Sequence, residues 1–208
     1  MSSPGRRDDY PRHTGIVSDA WQDPMVLPPD LPVPVDDGAA DHLRGSRVPD
    51  IALPATDGSR ISLAAIRNGR TVVYAYPRTG RPGEVALVDD WDSIPGARGC
   101  TPETCGFRDH HSELLAAGAE VFGLSTQDIP YQQELVARLH LPFAILSDAD
   151  LALTRAWRLP TFEAAGQTLL RRLTLLLRNG RVEHLWYPVF PPDRHAGEVL
   201  AWLRSNPM

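Results

Sequence analysis

Gly99-Cys-Thr-Pro-Glu-Thr-Cys-Gly-Phe-Arg-Asp109 opens a helix and carries both cysteines of the chain. Thr101 is a suitable N-cap, and Pro102 at the first helical position loses nothing by lacking an N–H. On that reading Cys100 stands just outside the helix, facing unpaired backbone N–H groups and the positive end of the dipole. A thiol loses its proton most readily in such a place, and the thiolate is the nucleophile. Arg98 adds positive charge nearby. The plainer alternative is a small buried hydrophobe, the usual fate of a lone cysteine. Cys105 follows five positions on. An ideal helix holds residues i and i+5 about 8–9 Å apart at Cα, whereas a disulfide needs ~7 Å or less. The two can bridge only if the first helical turn unwinds. That defines a cycle: Cys100 is oxidised to a sulfenic acid, the helix start opens, and Cys105 condenses with it.

Outward from this segment, strands and helices alternate. Upstream, Ile51-Ala-Leu53, a turn at Asp57–Gly58 and Arg60-Ile-Ser-Leu63 read as a hairpin. Thr71-Val-Val-Tyr-Ala-Tyr76 reads as a buried strand that stops at Pro77. The cysteine helix runs from Pro102 to Ala117, and Gly118 suits its left-handed end. Downstream come a strand over Glu120–Ser125, a helix over Asp128–Leu139, a short strand over Phe143–Leu146 and a helix over Asp150–Trp157. Leu173–Leu177 and Val182–Tyr187 flank a turn at Asn179–Gly180 as a second hairpin, and a last helix spans about Arg194 to Arg204. This order predicts an α/β fold: a central mixed sheet with helices on both faces and antiparallel strands at its end.

Composition narrows the chemistry. The chain has 208 residues, enough for one well-buried core. All 21 basic residues are arginine, which removes Schiff-base chemistry, lysine-anchored pyridoxal phosphate and the Walker phosphate loop. A net charge of −5 argues against nucleic acid or acidic lipid. No apolar run reaches the ~18 residues that cross a bilayer. Arg6–Arg7 precedes Asp8–Asp9 rather than an apolar stretch, so a cytoplasmic location is expected. Residues 1–46 hold seven prolines and eight aspartates against four arginines. They read as an extension, either a disordered tail or an arm laid across the body or a neighbouring subunit by Trp21, Met25, Val26 and Leu27. Residues 47–208 form the folded domain.

The segment 99–109 is similar to the active-site helix of the peroxiredoxins, and most resembles the Q-type (bacterioferritin comigratory) branch, whose pattern is GCTxEACxFRD. The likeness extends from Val48 through Val-Pro-Asp-Ile-Ala-Leu-Pro-Ala-Thr-Asp-Gly58, Ala75-Tyr-Pro77, Leu141-Pro-Phe-Ala-Ile-Leu-Ser-Asp148 and Arg172-Leu-Thr-Leu-Leu-Leu-Arg-Asn-Gly180. It implies a thioredoxin-like fold with an N-terminal hairpin. Cys100 then matches the peroxidatic thiol and Cys105 the resolving one. Arg172 matches the arginine that holds the thiolate and the peroxide oxygens, and Glu103 the glutamate that orients it. The implied activity is reduction of hydrogen peroxide or organic hydroperoxides through a Cys100–Cys105 disulfide, recycled by a thioredoxin-like dithiol, without cofactor or metal. A homodimer is left open. Arg171 competes with Arg172, but alternating side-chain direction lets only one of them enter the site.

The chain departs from the family before the cysteine. The family threonine at position −3 is Ala97 here. Tyr76-Pro-Arg-Thr-Gly-Arg-Pro-Gly83 resembles the family approach to the cysteine, with Arg81 in the threonine place and Glu84 where the cysteine belongs, so 84–98 reads as an insertion. Thr79 is the candidate to supply the missing hydroxyl by bending back. His110–His111 point ~100° apart on a helix and read as surface residues rather than metal ligands. Leu159-Pro-Thr-Phe162 reads as a plain loop. Two other functions stay in view: a general thiol–disulfide oxidoreductase, and a redox sensor or binding protein whose disulfide remodels a surface.

Overall fold

The computed structural model describes residues 23–208. Arg6–Arg7 and Trp21 lie outside the described residues. Five strands form the central sheet in the order β5-β4-β3-β8-β9, where β3 is Arg70–Ala75, β4 Ala119–Ser125, β5 Ile145–Ser147, β8 Leu173–Arg178 and β9 Arg181–Trp186. β4 runs parallel to β3 and to β5, while β8 is antiparallel to β3 and β9. The mixed sheet thus matches the expectation, with its antiparallel pair at one edge.

Every residue of β3 is buried, because helices cover both faces of the sheet. Side chains alternate about the strand. Val72, Tyr74 and Tyr76 face a core shared with α1 (Cys100–Asp109), α2 (His111–Ala116), α3 (Ile129–Leu139) and α5 (His195–Ser205). Val73 and Ala75 face the other core, with α4 (Ala152–Trp157) and the hairpin of β1 (Ala52–Pro54) and β2 (Arg60–Ser62). Ala40 and Leu43 belong to that second core. Tyr74 stacks on Phe107 at 4.4 Å between ring centroids, tying β3 to α1. Such a pair adds roughly 0.5–1.5 kcal/mol beyond the area it buries.

Three expectations are corrected. The helix over 102–117 is two helices, because His110 leaves helical geometry (φ −94°, ψ 6°); no proline or glycine marks the break. The strand over 143–146 is shifted to Ile145–Ser147. Leu159–Phe162 is not a plain loop but leads into an antiparallel hairpin of β6 (Thr161–Ala164) and β7 (Gln167–Leu170). Its turn is Ala165–Gly166, both at positive φ. No helix among the described residues is long and apolar enough to cross a membrane.

α5 is fastened to β8 by a buried imidazole, with His195 Nε2 2.8 Å from the Thr174 hydroxyl. Burial, helped by Arg172, lowers the His195 pKa to about 3, even with the half-exposed Glu198 carboxylate 3.4 Å from Nδ1. An unfolded histidine titrates near ~6.5. Between those values the unfolded chain holds a proton that the native chain refuses, so stability falls as pH drops from about 6.5 toward about 3. The expected penalty is roughly tenfold in the folding equilibrium per pH unit. Urea midpoints at several pH values check this: His195→Asn, which cannot titrate, loses that part of the slope.

Candidate active site

Gly99 is the residue that starts α1. It sits at φ 102° in the left-handed region, and its carbonyl accepts the Glu103 N–H at 3.1 Å. A Cβ there would lie 2.4 Å from Pro192 Cγ, so both backbone and space call for glycine. Two expectations change. Thr101 is not the N-cap but a buried residue of the first turn, and Cys100 is the first residue of the helix rather than outside it.

Cys100 is only 2% exposed. Arg172 Nη2 donates to its sulfur at 3.1 Å, while Nη1 pairs with Glu103 Oε2. Nη2 is also held by the carbonyls of Gly96 (3.2 Å), Ala97 (3.4 Å) and Arg98 (3.1 Å). Cys100, Glu103 and Arg172 therefore form one buried group, supplied by the first turn of α1 and the approach to β8. Arg171 is turned away, its N–H on Pro160 O (2.8 Å) and its Nε on Thr161 O (3.2 Å).

The electrostatics differ from the expectation of a readily ionised thiol. Burial pushes the Cys100 thiol up; Arg172 and the Arg78 backbone N–H pull it back only in part, and the Glu103 charge adds to the rise. Burial likewise pushes the Glu103 carboxyl up to about 7, against the pull of Arg172. Desolvation outweighs the helix end here because the sulfur lies under other parts of the chain. Arg98 does not add its charge at the sulfur: its Nη2 donates to the carbonyls of Asp23 (2.7 Å) and Val26 (3.0 Å).

Cys105 is 7% exposed, and its Sγ lies 3.9 Å from the Met25 thioether. Burial raises its thiol as well. Both cysteines are free. Thr79 is near but committed elsewhere, which corrects the expectation that it bends back to the sulfur. Its hydroxyl donates to Gln127 Oε1 at 3.1 Å, and its backbone N–H donates to the same atom at 2.9 Å. Gln127 and Tyr131, whose hydroxyl donates to Thr79 O at 3.1 Å, hold the loop after β3. Neither carries a local sequence signal, since each acts across about fifty residues of chain. Three buried polar atoms of this region lack a protein partner: Tyr76 Oη, Glu103 Oε1 and Arg172 Nε. Sequence reasoning missed Tyr76, which alternation along β3 could have placed on the Cys100 face.

The segment 84–98 packs as a small unit. Trp91 and Ala97 are buried with Ala164 and Leu169 of the β6–β7 hairpin, and Trp91 lies 6.3 Å from the Phe162 ring. His110 pairs with Glu113 at 2.7 Å and His111 packs on Phe143. No cluster of three His, Cys, Asp or Glu side chains among the described residues is arranged to hold a metal ion.

The family model of the Redoxin family matches residues 43–200. The chain is similar to peroxiredoxin Q, chloroplastic, of Oryza sativa subsp. japonica: 32% identical over 162 residues, covering 78% of this chain and 67% of the rice protein. Among solved structures, it is similar to peroxiredoxin Q of Xanthomonas campestris, with a TM-score of 0.61 and 27% identity over 88% of this chain and 99% of that one. It is also similar to the peroxidoxin BcpB of Mycobacterium tuberculosis, at 0.64 and 25% over 79% and 98%. The thioredoxin-like fold follows from these. The expectation of a cytoplasmic location is overturned: the relatives from Oryza sativa, Gentiana triflora and Arabidopsis thaliana are chloroplastic. An arginine pair without an apolar stretch speaks only to one type of export signal, and leaves organelle targeting untouched.

Proposed function

The chain belongs to the Redoxin family as a Q-type peroxiredoxin, a thiol peroxidase that reduces hydroperoxides, and from that premise we propose the residues and the order of steps. The observation that carries the assignment is Arg172 Nη2 at 3.1 Å from Cys100 Sγ while Nη1 pairs with buried Glu103. Cys100, as thiolate, attacks one peroxide oxygen. The S–O bond forms as the O–O bond breaks, the sulfur is oxidised to the sulfenic acid, and the departing alkoxide or hydroxide takes a proton to leave as alcohol or water. Arg172 stabilises charge on the sulfur and then on the departing oxygen. Glu103, which touches neither, is a positioning residue for Arg172.

The first turn of α1 then unwinds. Cys105 attacks the sulfenic sulfur, forming the Cys100–Cys105 disulfide and releasing water. A thioredoxin-like dithiol returns two electrons and two protons, restoring both thiols and leaving as its own disulfide. The reduced protein holds Cys100 with a raised pKa, so the proton must leave before attack, and the rate is expected to climb with pH above neutrality.

Mass spectrometry after one equivalent of peroxide tests the sequence of steps. A mass loss of two hydrogens mapped to a 100–105 bridge supports it, and a stable sulfenic acid with Cys105 untouched removes Cys105 from the resolving role. In Cys105→Ser, one round of oxidation at the normal rate is expected, followed by loss of at least about nine-tenths of steady-state turnover with a dithiol donor.

A further inference from the structure

Residues 23–35 lie across the start of the reactive helix, and their contacts fall on a short list of atoms. Arg98 Nη2 donates to the carbonyls of Asp23 and Val26 at 2.7 and 3.0 Å. Met25 Sδ lies 3.9 Å from Cys105 Sγ. Leu27 Cδ2 is 3.0 Å from where a Gly99 Cβ would stand. Pro24 and Pro34 approach the Cβ positions of Gly80 and Gly96 at 3.7 and 3.8 Å. Beyond the segment, Tyr187 donates to Asp37 at 2.8 Å, an anchor away from the cysteines.

The segment is held weakly otherwise. It joins no strand, its turn at Pro24–Met25 is made by Asp23 accepting from Met25 and Val26, and although Pro24 is buried, Met25 is 47% exposed. Its prolines stiffen the chain and donate nothing. A segment with so few buried contacts opens at low cost. Three of its footholds, Arg98, Gly99 and Cys105, are residues that must shift if Cys100 and Cys105 are to meet, because an intact helix keeps them ~8–9 Å apart at Cα.

We propose that residues 23–35 form a redox-operated latch: closed over the reduced site by Arg98, Gly99 and Cys105, and released when the Cys100–Cys105 bridge unwinds the start of α1. The proposal rests on the reading of Cys105 as resolving thiol. While closed, the latch screens both sulfurs from bulky reagents; once released, it frees the N-terminal arm and uncovers the disulfide for its reductant. The peroxide signal is thereby carried to a surface segment upstream of the family-matched residues 43–200.

Hydrogen exchange on the full chain, before and after one equivalent of peroxide, tests it. The amides of Met25, Val26 and Leu27 should exchange at least about tenfold faster in the bridged protein, and remain slow in Cys105→Ser treated alike. A bridge found by mass spectrometry together with unchanged exchange at 25–27 would overturn the latch alone. No bridge at all overturns the resolving role and the latch with it. A second arm uses reduced Cys100→Ser protein, in which Cys105 is the sole thiol. There Arg98→Ala, or Met25→Ala if the first does not fold, should raise iodoacetamide alkylation of Cys105 about tenfold. An unchanged rate in the folded variant also overturns the latch.

Discussion

Peroxide consumption by Cys100→Ser should fall to the rate of buffer with dithiol alone, a loss of about 10³-fold or more. A serine hydroxyl is not ionised at any working pH, and its oxygen cannot be oxidised as sulfur is, so neither the attack nor the sulfenic acid has a substitute. The fold should survive. Arg172 keeps Glu103 and three backbone carbonyls as partners, and the replacement removes little volume. A thermal midpoint within a few degrees of the parent, with no peroxide consumed in a coupled assay, is the expected pair of results. Residual turnover above background in a folded Cys100→Ser protein would remove the assignment.

Arg172→Met should be nearly as damaging, for two separable reasons. Loss of the donor at 3.1 Å from the sulfur takes away the charge that stabilises thiolate and departing oxygen, a loss of about 10²–10³ in rate. It also strands Glu103, which is fully buried, and breaking such a pair by removing one partner costs roughly 3–5 kcal/mol. The pH dependence gives the sign. Glu103 titrates at about 7 in the folded protein against ~4.3 when unfolded. Folding therefore favours its proton, and that contribution, full below the unfolded value, is lost as pH rises through about 7. Without Arg172 the carboxyl shifts higher still, so the variant should be closer to parental stability at pH 5 than at pH 8. Adding Glu103→Gln removes the stranded charge. The double variant should regain stability without regaining rate, and recovery of both would reduce Arg172 to a structural residue.

The sheet was legible because its strands are marked locally: Thr71–Tyr76 by an apolar run ending at proline, Leu173–Leu177 and Val182–Tyr187 by the Asn179–Gly180 turn between them. The β6–β7 hairpin was not, because its turn places Ala165, a residue with a Cβ, at positive φ, and no Asn-Gly or Asp-Gly pair announces it. At the site, the alternation of side chains allowed only one of Arg171 and Arg172 to enter, and the family resemblance pointed to Arg172. The thiol's electrostatics were hidden. A helix start can be read from Gly99-Cys-Thr-Pro102, but how deeply a sulfur is buried depends on what folds over it, and at Cys105 that cover includes Met25, far upstream in the chain. Thr79 illustrates the same limit. Its position suggested a free hydroxyl, and only the fold brings Gln127 across to occupy it.

The guanidinium of Arg172 hangs from the carbonyls of Gly96, Ala97 and Arg98, the closing residues of a segment whose own footing is a handful of side chains around Trp91 and the β6–β7 hairpin. The aim of this guanidinium at the Cys100 sulfur is therefore borrowed from an annex outside the main sheet. Wear in that annex would blunt the enzyme while its five strands still stood intact, so a chain that looks whole by its backbone signature need not be one that still disarms an oxidant.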